Sequence, residues 1–263
     1  MSDILRVERA GGVAHVTLAR PAVRNALNAE LIAELAWTFE ALAEEGPEKL
    51  RAVVLTGEGD VFCAGADIEW QRASIGLSVE ENEADAGRLQ EMLVAIEECP
   101  VPVIAAVRGA ALGGGMALCC VADITLATSD TSFGFTEVKL GLIPAVISPF
   151  VLPRIGEGNA RALFVTGERF GPERALRIGL VSEVVADQAA LANRVDALLG
   201  EVLSAGPEAP RNAKAVIQAQ RGLSRGDALA LTVKEAARQR VSAEGQEGLG
   251  AFLEKRRPSW RKE

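Results

Sequence analysis

The sequence predicts an α/β protein: a wound core of strand, strand and helix in loose recurrence, followed by a helical tail. Three observations carry the prediction. Short apolar runs with strand character return through the first half of the chain, at residues 13–20, 51–57, 103–107 and 123–127. Loops rich in glycine and other small residues lie between them, notably at 58–68 and 109–115. From Ser148 onward the apolar spacing is mostly helical. The core is therefore placed at residues 1–187 and a helical region at 188–263.

The elements follow in order. Residues 4–8 and 13–20 read as two strands joined at Gly11-Gly12. After a turn over 20–27, Asn28 is suited to cap a helix carrying Leu31, Ile32, Leu35, Phe39 and Leu42 on one side. Residues 51–57 form an apolar strand. In the next loop, small residues around Gly65 allow a ligand to come close. Residues 69–83 are polar, with Trp70, Ile75 and Leu77 scattered among them, and read as a surface lid. A helix is expected over 84–98 with Leu89, Met92, Leu93 and Ile96 inward, before Pro100 and Pro102 open the next strand. Gly113, Gly114 and Gly115 precede a helix-compatible apolar segment at 116–121. A strand at 123–127 and a turn-like segment at 132–137 follow. The tail predicts helices at 149–155, 158–165, 172–178, 189–204, 209–220, 225–241 and 243–257, interrupted by a strand at 180–185.

Composition narrows the chemistry. A chain of 263 residues, 49% of them hydrophobic, can bury a sizeable core as one large domain or one with a small appendage. No apolar run approaches the roughly 18 residues of a spanning helix, so no membrane association is expected. Residues 1–12 carry Asp3 and Glu8 rather than a basic-then-apolar leader, which points to a cytoplasmic location. A net charge of -8 argues against a broad nucleic-acid surface. Cys63, Cys99, Cys119 and Cys120 form no Cys-x-x-Cys pair and read as reduced, buried thiols. His15 is the only histidine and sits in a strand-like alternation; there is no tyrosine. A Ser-His-Asp site is therefore disfavoured and a multi-histidine metal site impossible. Acid–base work falls to carboxylates.

Two stretches can carry that work. The glycine run opens a helix-like segment, so free N–H groups and a positive dipole end face whatever lies in front. It reads either as an anion or oxyanion site or as tight helix–strand packing. Glu137 stands among apolar residues and reads either as an acid–base group with a raised pKa or as a solvated glutamate at a helix start.

Four segments then resemble the crotonase family, also called enoyl-CoA hydratase/isomerase. They are Arg20-Pro21 with Asn25-Ala26-Leu27-Asn28; Phe62-Cys63-Ala64-Gly65-Ala66-Asp67-Ile68; Gly109-Ala110-Ala111-Leu112-Gly113-Gly114-Gly115; and Phe133-Gly134, Glu137 and Leu140-Gly141-Leu142-Ile143-Pro144. The final helix adds Phe252-Leu253-Glu254-Lys255-Arg256, so the resemblance spans essentially the whole chain. It implies the crotonase (ClpP-like) β-β-α spiral and a C-terminal helical region that builds a homotrimer or hexamer. It also implies acyl-CoA as substrate, with no metal or redox cofactor. The thioester oxygen would sit between the backbone N–H groups of Ala66 and Gly114, and Glu137 would be the catalytic carboxylate. Val23, Arg24, Ala64, Asp67 and Ile68 would contact CoA, and Phe252 and Lys255 would reach a neighbouring subunit's CoA.

One departure stands out. Family hydratases carry a glutamate two residues after the glycine run, where this chain has Ala117. Glu69, Glu80 and Asp85 are candidates to replace it. The sequence after Glu137 is similar to that of members acting on branched or carboxylated enoyl-CoAs, such as methylglutaconyl-CoA. The expected function is hydration of an enoyl-CoA; a single-glutamate isomerase and a non-catalytic acyl-CoA-binding protein are the alternatives. Trp70, Met116, Ile147 and Phe150 are read as pocket walls or as ordinary core and lid residues.

Overall fold

The computed structural model describes residues 3–261. β1 (Leu5–Ala10) and β2 (Val13–Leu18) form an antiparallel hairpin with Ala10 opposite Val13. Gly11 and Gly12, both at positive φ, supply its two-residue turn. A 3-10 turn (Pro21–Val23) leads to α1 (Ala29–Ala43), whose first turn is capped by Asn28 accepting from the Leu31 amide. The five apolar residues expected on one face of α1 are all buried.

β3 (Ala52–Gly57), α2 (Ile68–Ser74) and α3 (Val79–Glu97) come next. They are followed by β4 (Val103–Val107), β5 (Ala110–Leu112) and α4 (Gly114–Val121). A third turn runs through β6 (Ile124–Thr128), β7 (Ser132–Gly134), a 3-10 turn (Glu137–Leu140) and α5 (Ser148–Ile155). Then come α6 (Glu157–Thr166), β8 (Arg169–Phe170), α7 (Pro172–Arg177) and β9 (Glu183–Val185). The tail holds α8 (Gln188–Ser204), α9 (Ala209–Ala219), α10 (Arg225–Val241) and α11 (Ala243–Leu253).

Six strands build the main sheet in the order β1-β2-β3-β4-β6-β9, parallel from β2 onward. A second sheet, β5-β7-β8, lies apart from it. Each turn of the spiral thus sends one strand to the main sheet and a shorter segment to the small one. In the first turn that second segment shrinks to a single bridge, Cys63 to Ala111.

Strand alternation explains the layers. Val53 and Leu55 of β3 join the larger core, whereas Ala52 and Val54 face the smaller one; β4 divides in the same way. With both faces covered, parallel strands read as continuous apolar runs. The smaller core is closed by α8 through Leu191, Val195 and Leu199.

Three expectations need correction. Residues 132–137 are not merely a turn: Ser132–Gly134 is β7, and 110–112 is a strand as well. Such short strands show no legible alternation. The polar lid at 69–83 is helical, made of α2 and the start of α3. α3 begins five residues before the expected 84 because Ser78 and Glu81 form a reciprocal capping box, a signal visible in Ser-x-x-Glu.

Candidate active site

The site is built where two small-residue loops meet. Leu27 forms a parallel bridge to Ala66, its N–H donating to Gly65 O and its carbonyl accepting from Asp67 N. Those bonds use the groups on either side of Ala66, so its own N–H points the other way. Gly114 is the first residue of α4, whose N–H has no intrahelical acceptor. Among the described residues, neither N–H donates a hydrogen bond.

Glycine brings the loops together. Gly65 lies at φ +95, and a Cβ there would come 2.8 Å from the Leu112 carbonyl; at Gly115 one would come 2.5 Å from the Cys63 carbonyl. The residues of the glycine run differ in what they do. Gly115 packs tightly, while Gly114 leaves a free donor.

Glu137 reaches the same place through register. β5 pairs β7 with Leu112 opposite Gly134, and Gly113 N donates to Gly134 O at 3.0 Å. Phe133 and Phe135 anchor the segment in the core, the latter edge-on to Phe164 at 4.8 Å between ring centres. The carboxyl then presses on Gly113, where an added Cβ would lie 3.2 Å from Oε1. Glu137 Oε2 is buried and has no hydrogen-bond partner. Burial pushes the pKa of Glu137 up, opposed by a weaker backbone hydrogen bond.

A cavity of about 260 Å³ joins these groups, lined by Ala66, Gly114 and Glu137 and walled by α2, α3 and residues 142–147. Of the expected wall residues, Trp70 and Ile147 line it. Met116 and Phe150 do not: both are buried in the larger core, on helix faces turned inward. Of the three carboxylates considered in place of the missing glutamate, only Asp85 borders the cavity. Glu69 is exposed and paired with Arg72, and Glu80 is exposed in the first turn of α3. Ala117 is fully buried in α4.

The loop residues flank this site. Val23 and Arg24 are exposed, and Arg24 O accepts from Ala64 N, which ties the two loops. Asp67 caps α2 by accepting from Glu69 N and pairs with Arg20 at 2.9 Å. Burial works to raise its pKa, but Arg20 and the amides of Glu69 and Trp70 outweigh burial and hold it below the usual value. Its carboxylate is thus engaged within the protein. Ile68 is exposed at the start of α2. Phe252 and Lys255 do not join the others in this chain. They are exposed at the end of α11, with Lys255 in a left-handed conformation.

Among the described residues, groups of three or more His, Cys, Asp or Glu able to hold a metal are absent, and no helix is long and apolar enough to cross a membrane. The four cysteines are buried free thiols, with burial pushing Cys63 and Cys120 up to about 12. His15 is half-buried in β2, opposite Glu8 and Val54.

Comparison with known proteins relates the chain, over nearly its whole length, to one family. The family model described as Enoyl-CoA hydratase/isomerase matches residues 8–263. Crotonyl-CoA hydratase of Syntrophomonas wolfei is 34% identical over 260 residues, covering 97% of this chain and 96% of the relative. Among solved structures, an enoyl-CoA hydratase from Shewanella pealeana superimposes with a TM-score of 0.92 at 36% identity, covering 98% of this chain and 96% of that one. One from Mycobacterium smegmatis gives 0.94 at 34% identity, covering 99% and 100%.

Proposed function

The chain belongs to the enoyl-CoA hydratase/isomerase, or crotonase, family, and from that premise we propose that it adds water across the 2,3-double bond of an enoyl-CoA. The observation that carries the reading is the convergence of two unpaired backbone donors and one poorly solvated carboxylate on a single cavity. The thioester oxygen accepts from Ala66 N–H and Gly114 N–H, which lie where negative charge develops as the enolate forms. Each preorganised donor of this kind contributes roughly 2.7–4 kcal/mol. Glu137 takes a proton from water as the water oxygen attacks C3, then gives that proton to C2 of the enolate. The carboxylate ends as it began, and substrate plus water balances the hydroxyacyl product. Its raised pKa brings it nearer neutrality, where one group serves both proton transfers. CoA enters as part of the substrate, along the exposed loop of Val23 and Arg24 and the segment of Ala64, Asp67 and Ile68. The segment after Glu137 also raises methylglutaconyl-CoA, whose branched acyl group carries a carboxylate; the acidic lining of the cavity favours an uncharged branched chain over it.

Ala117 favours a second reading. With one glutamate beside the oxyanion donors, the site can also move a double bond, removing a proton at one carbon and returning it two carbons along. Labelled water separates the two. Purified protein with crotonyl-CoA in ¹⁸O-water is expected to yield 3-hydroxybutyryl-CoA carrying the label. Migration of a 3-enoyl-CoA double bond without oxygen uptake, and no hydration of crotonyl-CoA, would replace hydratase by isomerase. Binding of acyl-CoA with neither reaction would leave a carrier.

A further inference from the structure

We infer that Asp85 makes the acyl cavity select uncharged acyl chains and reject those ending in a carboxylate, an inference that rests on the acyl-CoA reading of the site. α3 turns Asn82, Asp85, Ala86 and Leu89 toward the cavity, a stripe at i, i+3, i+4 and i+7. The ionisable residues lining it are Glu137 and Asp85, and no lysine, arginine or histidine is among them.

Asp85 is not simply a solvated surface acid. Its side chain is 13% exposed, and Oδ1 is held by Arg88 at 2.5 Å. Arg88 is exposed and outside the cavity lining. The pair therefore presents its negative end inward and its positive end to solvent. Oδ2 has no protein partner among the described residues.

Asp85 and Glu137 line one cavity, so an acyl group held there for reaction at Glu137 lies beside the Asp85 carboxylate, where like charges repel. A carboxylate on the acyl chain could not enter without facing Asp85, and no cation in the lining would offset it. Neutral chains meet no such repulsion, and Trp70, Leu89 and residues 142–147 offer them apolar wall beside the uncharged Gln71, Ser74 and Asn82. Discrimination of this sort comes from placing a like charge against the wrong ligand.

The test compares crotonyl-CoA with glutaconyl-CoA, its carboxylated counterpart. In the parent, kcat/KM is expected to favour crotonyl-CoA at least tenfold. Asp85→Asn should narrow that ratio severalfold, and Asp85→Glu, which keeps the charge, should preserve it. Arg88→Gln removes the outer cation and should widen the ratio, a readout that stands even if Asp85→Asn fails to fold. A parent ratio within threefold, or a ratio unmoved by either Asp85→Asn or Arg88→Gln, would overturn the assignment. Calorimetric binding of butyryl-CoA against glutaryl-CoA keeps this separate from catalysis. Should hydration fail for every substrate, the hydratase reading falls. Tighter binding of butyryl-CoA, lost on Asp85→Asn, would still uphold Asp85, and equal binding of the two would remove it.

Discussion

Glu137 holds a carboxyl that its surroundings do little to solvate, and both its chemistry and its cost follow from that. One oxygen is buried without a partner and the other lies against Gly113. As a base it must be ionised, so kcat/KM for hydration should rise with pH through an acid limb above the ordinary glutamate value of about 4.3. Glu137→Gln should lower kcat about a hundredfold or more and abolish that limb; activity within a few-fold of the parent would remove the role. Stability runs the other way. Because burial raises the folded pKa, the native state holds this proton more tightly than the unfolded chain does. The favourable contribution is complete below the unfolded pKa and is lost as pH rises through the higher folded value. Thermal melts at pH 8 should therefore show Glu137→Gln at or above the parent Tm, with the difference closing toward pH 4. A variant that melts well below the parent at pH 8 would show that the carboxylate is structurally required.

Among the elements, the join between the first two loops depends on Asn25. It is fully buried at φ +54. Its Nδ2 donates to Glu58 O at 2.9 Å and Val61 O at 2.7 Å, and its Oδ1 accepts from Arg20 N at 2.9 Å. Arg20 in turn donates to Ala26 O and pairs with Asp67, so the turn before α1 is locked to the loop that carries Ala66. Asn25→Ala would orphan these buried groups and leave a β-carbon in the left-handed region. The expected cost is about 3–5 kcal/mol, or a fall in Tm of the order of 10 °C. A fall under 2 °C would mean that water replaces the amide. Such a residue could be found in the sequence as part of a motif, but its three partners could not, because they lie 5 to 36 residues away. The same limit governs the fold. Long strands such as β3 and β4 declared themselves as apolar runs, and α1 through its spacing and its cap. The small sheet did not, since β8 has two residues and β5 three, too few to show a period. Glu137 stands out as a carboxylate among apolar residues and Gly114 as part of a glycine run, whereas the place of Ala66 beside them is legible only through the resemblance between segments. That Asp85 faces the cavity, and that Glu69 and Glu80 do not, depends on the phase of α2 and α3 against it, which polar spacing alone does not reveal.

The molecule as a whole leaves an apolar surface that its own core does not use. α10 has no buried residue, and its Leu229, Val233 and Val241 are exposed, as are Ile217 of α9 and Leu249, Phe252 and Leu253 of α11. A helix of this kind draws its stability from packing rather than propensity, and α10 packs mainly on α9 and α11. Apolar side chains gathered on one set of helices mark an interaction face. We propose that this face joins copies of the chain into a homotrimer or hexamer, which light scattering should report as three or six times 27.7 kDa. Leu229→Asp with Val233→Asp should shift the mass toward the monomer; a parent that is monomeric at micromolar concentration would refute the assembly. The same variant tests Phe252 and Lys255. Within one chain they do not line the cavity, and the family resemblance implies that they contact the CoA of a neighbouring subunit. If they make it, dissociation should weaken acyl-CoA binding even though Ala66, Gly114 and Glu137 are untouched. If affinity in the dissociated variant equals that of the parent, Phe252 and Lys255 have no part in holding CoA, and the helical tail serves assembly alone.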